Sequence, residues 1–552
     1  MTIKNPKPHP QWYSPETGIY SSTFPNRYVP SDPFLDVVSF IFSHKHRGVS
    51  ALIDSSTGSS ISYPELYPLV QAMASGLYHS MGVRQGDVVL VLLPNSIYYP
   101  IVFLGIASLG AIVTTMNPLS STPEIKKRVT DCNASLAFTA SEKVDTLRAF
   151  GVPAIGVPDN VNLDRKKTSF SAFYKLISGD FDLPPKPVIK QQDTVALIYS
   201  SGTTGVSKGA MLTHGNFIAM VELFIRFEAS LYPHEPSAEN VHLAVLPMFH
   251  IYGLAIFVLG LFSVGSSIVV VKKFDLNEVI KAIDRYKVTH FPLVPPLLTA
   301  LTKKAKDSGG SGLKSLKQIS CGAAPLSSIK VVEDLKQALP HVDFIQGYAM
   351  TESSGIGARG LNTEKIRNYT SIGLLAPNTQ AKVVDWNTGS SLPPGSTGEL
   401  WLRGPGIMKG YLNNVEATMA TVDKEGWLHT GDIVSIDQDG YIFVKERLKE
   451  MIKYKGFQIA PADLEAVLIS HPEILDVAVT AILDEKSGEI PVAFVVKKHG
   501  SRLSEAAVMD YVAEQVAPYK KVRKVVFTNS IPRSAAGKVL RRQLRSNMAS
   551  RL

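Results

Sequence analysis

The segment YSSGTTGVSKGAML, residues 199–212, combines glycines with serine and threonine hydroxyls around a single lysine, Lys208. Glycine lets backbone N–H groups turn toward a ligand, and a nest of such groups beside hydroxyl donors binds anions. The segment is not a Walker loop, because Lys208 lies between Ser207 and Gly209 instead of following glycine and preceding serine or threonine. Most Gly/Ser-rich segments are flexible surface loops. A buried-type run, TVALIYS, leads into this one, so we predict a phosphate-binding loop.

The elements that must position this loop are predicted to alternate between strands and helices. Strand-like runs such as DVVLVLLP, AIVTTM, TVALIYS, HLAVLP and SIVVVKKF are separated by helical patterns such as NFIAMVELFIRF. This order is typical of βαβ units. We therefore expect an α/β fold whose large N-terminal domain is a mainly parallel, multi-lobed structure.

The composition of the sequence changes near Lys445, where a segment rich in charged residues precedes a proline at the expected first turn of a helix. Beyond it come short strands and a helix that opens at Ser504 and carries Val508, Val512 and Val516 on one face. We predict a large domain over 1–445 and a small, mobile α+β domain over 446–552. A cleft between two domains is a common ligand site.

Charge and hydropathy narrow the class of protein. The net charge is +9, and residues 447–552 hold 18 Lys and Arg against 11 Asp and Glu. A basic surface suits nucleic acid, a membrane surface, an anionic small molecule or only solvent. No aromatic platform or base-reading motif supports nucleic acid. Residues 88–123 and 251–271 are uncharged but broken by Pro and Gly, which predicts buried α/β core and no membrane span.

Cysteine usage and the chain ends suggest a compartment. Cys132 and Cys321 are too few and too far apart for a disulfide framework, so we expect a reducing environment. The first thirty residues contain no apolar run that could serve as a secretory signal. Ser550, Arg551 and Leu552 form a variant of the peroxisomal Ser-Lys-Leu address. The prediction is a peroxisomal protein bound by the import receptor, with the cytoplasm as the alternative.

Five further motifs follow the glycine-rich loop in order: GYAMTE (347–352), GELWLRGPGIMKGYLN (398–413), GWLHTGD (426–432), RLKEMIKYKGFQIAPADLE (447–465) and PRSAAGKVLRR (532–542). From about residue 35 onward the chain resembles the adenylate-forming superfamily of acyl-CoA synthetases, luciferases and peptide-synthetase adenylation domains. PMFHIYGL, CGAAPL and VAPYKKVRKV are similar to plant 4-coumarate:CoA ligases and their peroxisomal relatives.

The resemblance implies two half-reactions. A carboxylate attacks the α-phosphate of ATP to give acyl-AMP and pyrophosphate, and the thiol of coenzyme A then displaces AMP. Because a weak anionic nucleophile must approach a polyanion, oriented donors and cations are the main catalytic resource. Lys538 matches the family lysine that joins the carboxylate to the α-phosphate, and Glu352 matches the carboxylate that holds Mg²⁺.

Other positions of the family pattern are implied to bind ATP. Thr351 matches a hydroxyl that contacts a phosphate, and Asp432 and Arg447 match residues that face the ribose hydroxyls. Two further sets of residues match those that bound the adenine and those that hold the pyrophosphate end. These sets are Gly322, Ala323, Ala324, Gly347 and Tyr348 for the nucleotide, and Ser200, Ser201, Gly202, Thr203, Thr204, Gly205 and Lys208 for the phosphates.

His250 matches the family position near the reacting carboxyl carbon, where it places the acyl group or opens the path of the thiol. A histidine beside an apolar run is otherwise a core residue. After adenylation the small domain is expected to swing and bring Lys453 and Gln458 to the nucleotide. Coenzyme A, with three phosphate groups, would then lie against the basic domain.

Departures from the family pattern bear on the hinge and on the acid. Glu446 replaces the usual hinge aspartate, and Ala349 replaces a glycine. True 4-coumarate ligases follow Thr-Glu with Ala-Gly-Pro-Val, whereas this chain has TESSGIG. The resemblance therefore implies a pocket of different shape, for fatty acids or jasmonate-precursor acids rather than hydroxycinnamates. The predicted lining is His250, Tyr252, Gly253, Ser320, Gly347, Ala349, Ser354 and Ile356.

Three functions stay open at this point. The first is an ATP-dependent, AMP-forming acid–CoA ligase, including a true 4-coumarate ligase as an alternative. The second is a luciferase-like oxygenase that uses the same adenylate without coenzyme A turnover. The third is a pseudo-enzyme that only binds nucleotides, against which the presence of Lys208, Glu352, Asp432 and Lys538 argues.

Overall fold

The apolar runs predicted as strands lie in two mainly parallel sheets. The computed structural model of the chain describes residues 10–158, 170–200, 207–232, 234–324, 326, 329–362, 367–454, 457–484, 487–516, 518–534 and 537–549. A seven-stranded sheet consists, from edge to edge, of Gly410–Tyr411, Lys208–Thr213, Thr194–Ser200, Ile112–Thr115, Val88–Leu92, Leu136–Thr139 and Ala154–Gly156. Its last five strands run parallel, and Lys208–Thr213 is antiparallel to Thr194–Ser200.

The second sheet has nine strands. From edge to edge they are Leu374–Leu375, Ala358–Arg359, Asp343–Tyr348, Gln318–Cys321, His290–Leu293, Val241–Ala244, Ser267–Val270, Ser50–Asp54 and Ser60–Ser62. The six strands from Asp343–Tyr348 to Ser50–Asp54 are parallel. Parallel strands end at a common edge, where ligands of open α/β sheets bind.

Two further sheets are largely antiparallel. Six strands form the first, in the order Tyr13–Ser14, Ile19–Ser21, Gln380–Val384, Thr397–Arg403, Leu428–Ile436 and Ile442–Arg447. The other contains Phe457–Ile459, Ile452–Tyr454, Gly488–Lys497 and Ile474–Asp484, with Lys524–Phe527 parallel to Gly488–Lys497. The α+β character predicted for the C-terminal part is confirmed.

The helices cover the sheets and join their strands. They span Val37–Phe42, Tyr63–Ser80, Tyr99–Ser108, Thr122–Cys132, Val144–Ala149, Ser171–Ser178, His214–Met220, Phe227–Leu231, Ile251–Gly253, Leu276–Tyr286, Pro295–Ser308, Lys330–Ala338, Val415–Thr421, Pro461–Ile469, Glu505–Ala513 and Arg541–Ala549. Two π-helical segments, Val221–Arg226 and Leu254–Gly260, continue short helices. Such widened turns often occur at functional sites.

The uncharged stretches are buried core, as predicted. Residues 88–123 contain a strand, the helix Tyr99–Ser108 and a second strand, and every residue of that helix except Ser108 is buried. Residues 251–271 contain the segment Leu254–Gly260, which is also fully buried. Within the described ranges, no helix has both the length and the apolar character needed to cross a membrane.

The C-terminal part has its own core. Val508 and Val512 of the predicted stripe are fully buried, and Val516 packs beside them. Ser504 caps the helix that carries them, accepting a hydrogen bond from the N–H of Ala507. Burying each such side chain stabilises the fold by about 1.5–3 kcal/mol. A unit with a separate core can move as one body relative to the rest.

Candidate active site

Asp432 and Arg447 lie opposite each other on neighbouring antiparallel strands. The Arg447 Nε is 2.8 Å from Asp432 Oδ1, and the Tyr348 hydroxyl donates to Asp432 Oδ2 at 2.6 Å. Burial and the Asp432 carboxylate raise the pKa of Tyr348 well above its usual value, so the phenol stays protonated and remains a donor. Asp432 is 3% exposed. The motifs GYAMTE and GWLHTGD therefore meet at a single carboxylate.

A second hydrogen-bonded group joins the end of the glycine-rich loop to the GYAMTE motif. Ser200 and Tyr411 both donate their hydroxyls to Glu352 Oε1, each at 2.8 Å. Lys208 pairs with Ser200 across the two strands, and its Nζ lies 5.0 Å from the centre of the Tyr411 ring. The loop residues Ser201, Gly202, Thr203, Thr204 and Gly205 lie outside the described residues.

Glu352 is suited to a magnesium ion shared with phosphates. Its carboxylate is buried with Thr351 beside it, and it faces two hydroxyls. No cluster of three or more His, Cys, Asp or Glu side chains that could hold a metal occurs among the described residues. Mg²⁺ usually takes one or two carboxylates and fills its remaining positions with substrate phosphates and water. The Glu352 carboxylate and the hydroxyls near it fit a Mg²⁺ ion shared with phosphates and water, and not a site whose metal ligands all come from protein.

Lys538 reaches this region from the C-terminal part of the chain. The preceding Gly537 has φ +77°, and a Cβ built there would lie 3.3 Å from Pro296 Cδ and 3.4 Å from Val294 Cβ. Burial and the positive charge of Arg447 lower the pKa of Lys538 to about 8, although Asp432 acts in the opposite direction. The Lys538 ammonium is therefore partly desolvated and lies near the charges of Arg447 and Asp432.

His250 caps the helical turn Ile251–Gly253, with its Nδ1 3.5 Å from the N–H of Tyr252. Burial lowers its pKa, with Glu352 and Lys538 acting in opposite directions, so the imidazole is neutral at pH 7. His250 lines a cavity whose wall contains both predicted and unpredicted residues. The predicted lining residues found there are His250, Tyr252, Ser320, Gly347 and Ala349, and they share the cavity with Gly322, Ala323 and Tyr348, which were predicted to bound the adenine.

Ala323 has a left-handed backbone, with φ +71°. For a residue other than glycine this conformation stores strain and is often found at binding sites. Ala323 follows Gly322 at the carboxyl end of the strand Gln318–Cys321, as the turn CGAAPL indicates. Ala324 continues this turn.

Three residues predicted to line the pocket lie behind its wall. Gly253 packs against the backbone, where an added Cβ would be 2.2 Å from the Pro247 carbonyl oxygen. Ser354 is fully buried, and Ile356 packs into the core at 3% exposure. Gly355, between them, is the residue that faces the cavity. The prediction is corrected here because the left-handed turn at Ser354 and Gly355, with φ +55° and +87°, exchanges the faces of the chain.

Sequence reasoning missed part of the wall of the cavity. That part comes largely from the two π-helical segments and from a strand edge, and it consists of Phe224, Ile251, Ala255, Ile256, Ile345, Gln346 and Arg359. Segment Val221–Arg226 belongs to no motif, and Leu254–Gly260 begins at the last residue of PMFHIYGL, which does not itself show which side chains of the following turns face the cavity. In the sequence near these residues, the charge of Arg359 is the feature that could have indicated a role in the cavity.

Lys453 lies outside this arrangement. It is exposed on a hairpin in which it pairs with Gln458, and its N–H donates to Glu489 at 2.7 Å. Glu446 is 6% exposed and accepts a hydrogen bond from the N–H of Ala462 at 2.9 Å. A carboxylate at that place satisfies a free N–H group at the start of the helix Pro461–Ile469. Glu446, predicted to lie at the hinge, thus joins the C-terminal part to the last strand of the six-stranded sheet.

Comparisons with known proteins agree with this geometry. The model of the AMP-binding enzyme family matches residues 42–412, and that of the AMP-binding enzyme C-terminal domain matches residues 463–538. The chain is 59% identical to 4-coumarate–CoA ligase-like 6 of Arabidopsis thaliana, covering 98% of this chain and 96% of that protein. It is 46% identical to peroxisomal OPC-8:0-CoA ligase 1 of the same species, covering 94% of each.

Solved structures show the same fold. The o-succinylbenzoate CoA synthetase of Bacillus subtilis, in complex with its acyl-adenylate intermediate, superposes with a TM-score of 0.77 at 26% identity, covering 90% of this chain and 95% of that one. ATP-bound MatB from Rhodopseudomonas palustris superposes with a TM-score of 0.84 at 24% identity, covering 93% and 98%. The predicted fold class, a large α/β part followed by a smaller C-terminal domain, is confirmed.

Proposed function

The chain belongs to the AMP-binding enzyme family and is an AMP-forming acid–CoA ligase, and from this premise we propose that its acid is of the fatty or jasmonate-precursor type. Gly355 carries this proposal. It lines the acyl cavity with φ +87°, where hydroxycinnamate ligases resembling this chain place proline. Proline cannot adopt that φ, so the cavity wall has a different course. The relative named as an OPC-8:0-CoA ligase also supports such an acid.

The first half-reaction forms an acyl-adenylate. A carboxylate oxygen bonds to the α-phosphorus of ATP, and the bond from that phosphorus to the pyrophosphate oxygen breaks. We assign Lys538 to hold the two anions together as they approach. Its ammonium is desolvated, and a desolvated cation stabilises developing negative charge more strongly than a hydrated one.

ATP is held in this proposal by the two groups around Asp432 and Glu352. Asp432 and Arg447 bind the ribose hydroxyls, while Tyr348 and the turn 322–324 bound the adenine. Ser200, Lys208 and Thr351, with the loop 201–205, hold the phosphates. Mg²⁺, when bound at Glu352, supplies charge neutralisation of those phosphates.

The second half-reaction needs a different set of residues. The thiol of coenzyme A loses its proton to solvent, its sulfur bonds to the acyl carbon, and AMP leaves with the electron pair of the broken C–O bond. We propose that the domain 446–552 turns against 1–445 between the steps, bringing Lys453 and Gln458 toward the nucleotide. The exposed position of Lys453 supports a role in another arrangement. His250, neutral and buried, then borders the path of the thiol.

We propose a peroxisomal location, with the cytoplasm as the alternative. Ser550, Arg551 and Leu552 would bind the import receptor, and these residues lie outside those that the structure describes. The relative named peroxisomal supports the proposal. Fusing the last ten residues to a fluorescent protein tests it, with a Leu552→Lys tail as the control.

A panel of acids tests the proposed substrate class. Medium-chain, cyclopentanone-bearing, cinnamic and benzoic acids are offered with ATP, Mg²⁺ and coenzyme A, and both pyrophosphate and CoA thioester are measured. The proposal expects the highest kcat/KM among the first two classes. The highest value for 4-hydroxycinnamic acid would instead establish the hydroxycinnamate alternative. Pyrophosphate without thioester would favour an oxygenase, and neither product would favour a nucleotide-binding pseudo-enzyme.

A further inference from the structure

The lining of the proposed acyl cavity includes a charged side chain. Arg359, at the end of the short strand Ala358–Arg359, lines the same cavity as His250 and Tyr252. Its partner on the neighbouring antiparallel strand is Gly347. Directly opposed residues place their side chains on the same face of a sheet, and glycine has none. The Arg359 side chain is therefore not covered from that strand.

The guanidinium of Arg359 is only partly satisfied by the protein. Its Nη2 donates to the carboxylate of Glu228 and, at 3.1 Å, to Gln318 Oε1. Its Cζ lies 5.5 Å from the centre of the Phe224 ring. Phe224 and Glu228 are four residues apart on one continuous helical segment, so the same helix face supplies both contacts.

Two of the guanidinium nitrogens have no hydrogen-bond partner among the described residues, and the side chain that carries them lines the cavity. Within the part of the chain that the structure describes, neither Nε nor Nη1 of Arg359 makes a hydrogen bond. Burial lowers the pKa of Arg359 to about 9. A guanidinium has five N–H donors, and donors inside a protein normally find acceptors. An acceptor on the bound acid would satisfy the donors that the protein leaves open.

A second cavity lies behind this group. Glu228 and Gln318 line it, whereas Arg359 does not, and its volume is ≈ 120 Å³. The hydrogen-bonded group of Arg359, Glu228 and Gln318 thus separates the two cavities. Asn240 and His242 of the rear cavity each have a buried polar atom without a partner among the described residues. A polar cavity of this kind suits water and not an alkyl chain.

We propose that Arg359 recognises an oxygen at the far end of the acid, opposite the carboxylate that is activated. The guanidinium donates through its free nitrogens to a ketone or a phenol oxygen of a substrate seated between His250 and Arg359. An alkyl end at that place would displace water from the guanidinium donors without supplying a hydrogen-bond acceptor, so an acid that ends in an alkyl group would bind less well. The inference rests on the proposed ligase function and narrows its substrate to acids with a distal acceptor.

Matched acid pairs test the inference on the full-length enzyme. One pair is 4-hydroxycinnamic and cinnamic acid, and the other is a cyclopentanone-ended and a cyclopentane-ended acid of equal chain length. The unaltered enzyme is expected to prefer the oxygen-bearing member by about 10- to 100-fold in kcat/KM. The pair with the larger preference identifies a ketone or a phenol as the natural group.

Arg359→Met is expected to bring both preferences close to unity, mainly by raising KM for the oxygen-bearing acids, while activity on the plain acids persists. Arg226→Met is the matched control, because Arg226 lies on the same helical segment and pairs with Glu222 at 2.9 Å without lining the cavity. It should keep the preference of the unaltered enzyme. An undiminished preference in Arg359→Met would overturn the inference.

Arg359→Lys provides a second test of the role of Arg359 if the methionine variant does not fold. Lysine keeps the charge but cannot present two parallel donors, so it should show a reduced preference, and a full preference would again overturn the inference. The two levels of the account fail in different ways. If the unaltered enzyme makes no CoA thioester from any acid of the panel, the proposed substrate class falls and the inference with it; if thioesters form with no dependence on Arg359, only the inference falls.

Discussion

Two partly buried arginines are each paired with a carboxylate, one beside Tyr348 and Asp432 and the other in the wall of the cavity. Arg447 pairs with Asp432, and although burial opposes its charge, Asp432, Tyr348, Glu352 and Glu450 together raise its pKa. Arg359 pairs with Glu228 and has its pKa lowered to about 9 by burial. The first arginine belongs to a dense network of charges. The second is a single ion pair in an apolar wall.

The difference matches what each end must do. Every acid shares the same nucleotide, so the network around Arg447 can be fixed and charged, and it can couple to the hinge that begins one residue away. The acyl end must distinguish one acid from another, for which an incompletely satisfied donor is better suited. Changes at the first end should therefore affect all acids alike, and changes at the second should affect them selectively.

The largest expected effect is at the nucleotide end. Lys538→Ala should lower acyl-AMP formation by about 10²–10³-fold for every acid, because one cation is lost from a preorganised site. Conversion of supplied acyl-AMP to thioester should remain close to normal. Pyrophosphate exchange and thioester formation measure the two steps separately, with Lys498→Ala as an exposed control. Equal loss of both steps would contradict the assignment.

Neutralising Asp432 and Glu228, the carboxylates paired with Arg447 and Arg359, compares the nucleotide end and the acyl end directly. Asp432→Asn should raise KM for ATP by about 100-fold with every acid, because it removes a charged acceptor and leaves Arg447 unpaired. Glu228→Gln should leave KM for ATP unchanged and change the acid preference by about tenfold. Steady-state kinetics with two acids measure both effects, as KM for ATP and as the ratio of kcat/KM for the two acids. A uniform effect of Glu228→Gln on all acids would remove the distinction between the ends.

The pKa of Lys538 predicts a pH dependence for the first half-reaction. Its value of about 8 means that the ammonium deprotonates as the pH rises through 8. The kcat/KM for adenylation should then fall about tenfold for each further pH unit, since this parameter reports groups of the free enzyme. Lys538→Arg keeps its charge and should flatten the profile. A profile of the unaltered enzyme that stays flat to pH 10 would refute the prediction.

The smallest expected effect concerns the hinge. Glu446→Asp shortens the side chain that accepts from Ala462 N–H and should lose that hydrogen bond, destabilising the observed arrangement by about 1 kcal/mol. We expect a few-fold decrease in adenylation relative to thioester formation. Glu446→Gln, which keeps the length and one oxygen that can still accept from Ala462 N–H, is the control. An unchanged ratio of the two rates in Glu446→Asp would show that the contact has no effect on closure.

The sequence predicted the meeting of the motif residues around Asp432 and Glu352 far better than it predicted the lining of the cavity. Asp432, Ser200 and Glu352 lie at fixed offsets within motifs, and a motif fixes the local backbone that orients them. The wall formed by Phe224 and Arg359 depends on how a helix packs against a strand edge more than a hundred residues away. No periodicity in one segment carries that information.

Ile356 shows the limit of motif reasoning in detail. The pattern TESSGIG placed it in the pocket, but the left-handed conformations of Ser354 and Gly355 turn its side chain into the core. Backbone handedness at a serine could not be predicted from residue type alone. The fold class and the C-terminal helix capped by Ser504 were predictable because periodicity and capping are local properties.

The central claim is that the observed arrangement performs only the first half-reaction. A Cβ added at Gly537 would lie 3.4 Å from Val294 Cβ, close to the separation found in disulfides. The double variant Val294→Cys/Gly537→Cys, oxidised, should therefore lock the C-terminal part in place. Acyl-AMP and pyrophosphate should form in a single burst without CoA thioester, and reduction should restore thioester formation, with the Gly537→Cys single variant as control. Normal thioester turnover by the oxidised, crosslinked protein would contradict the account.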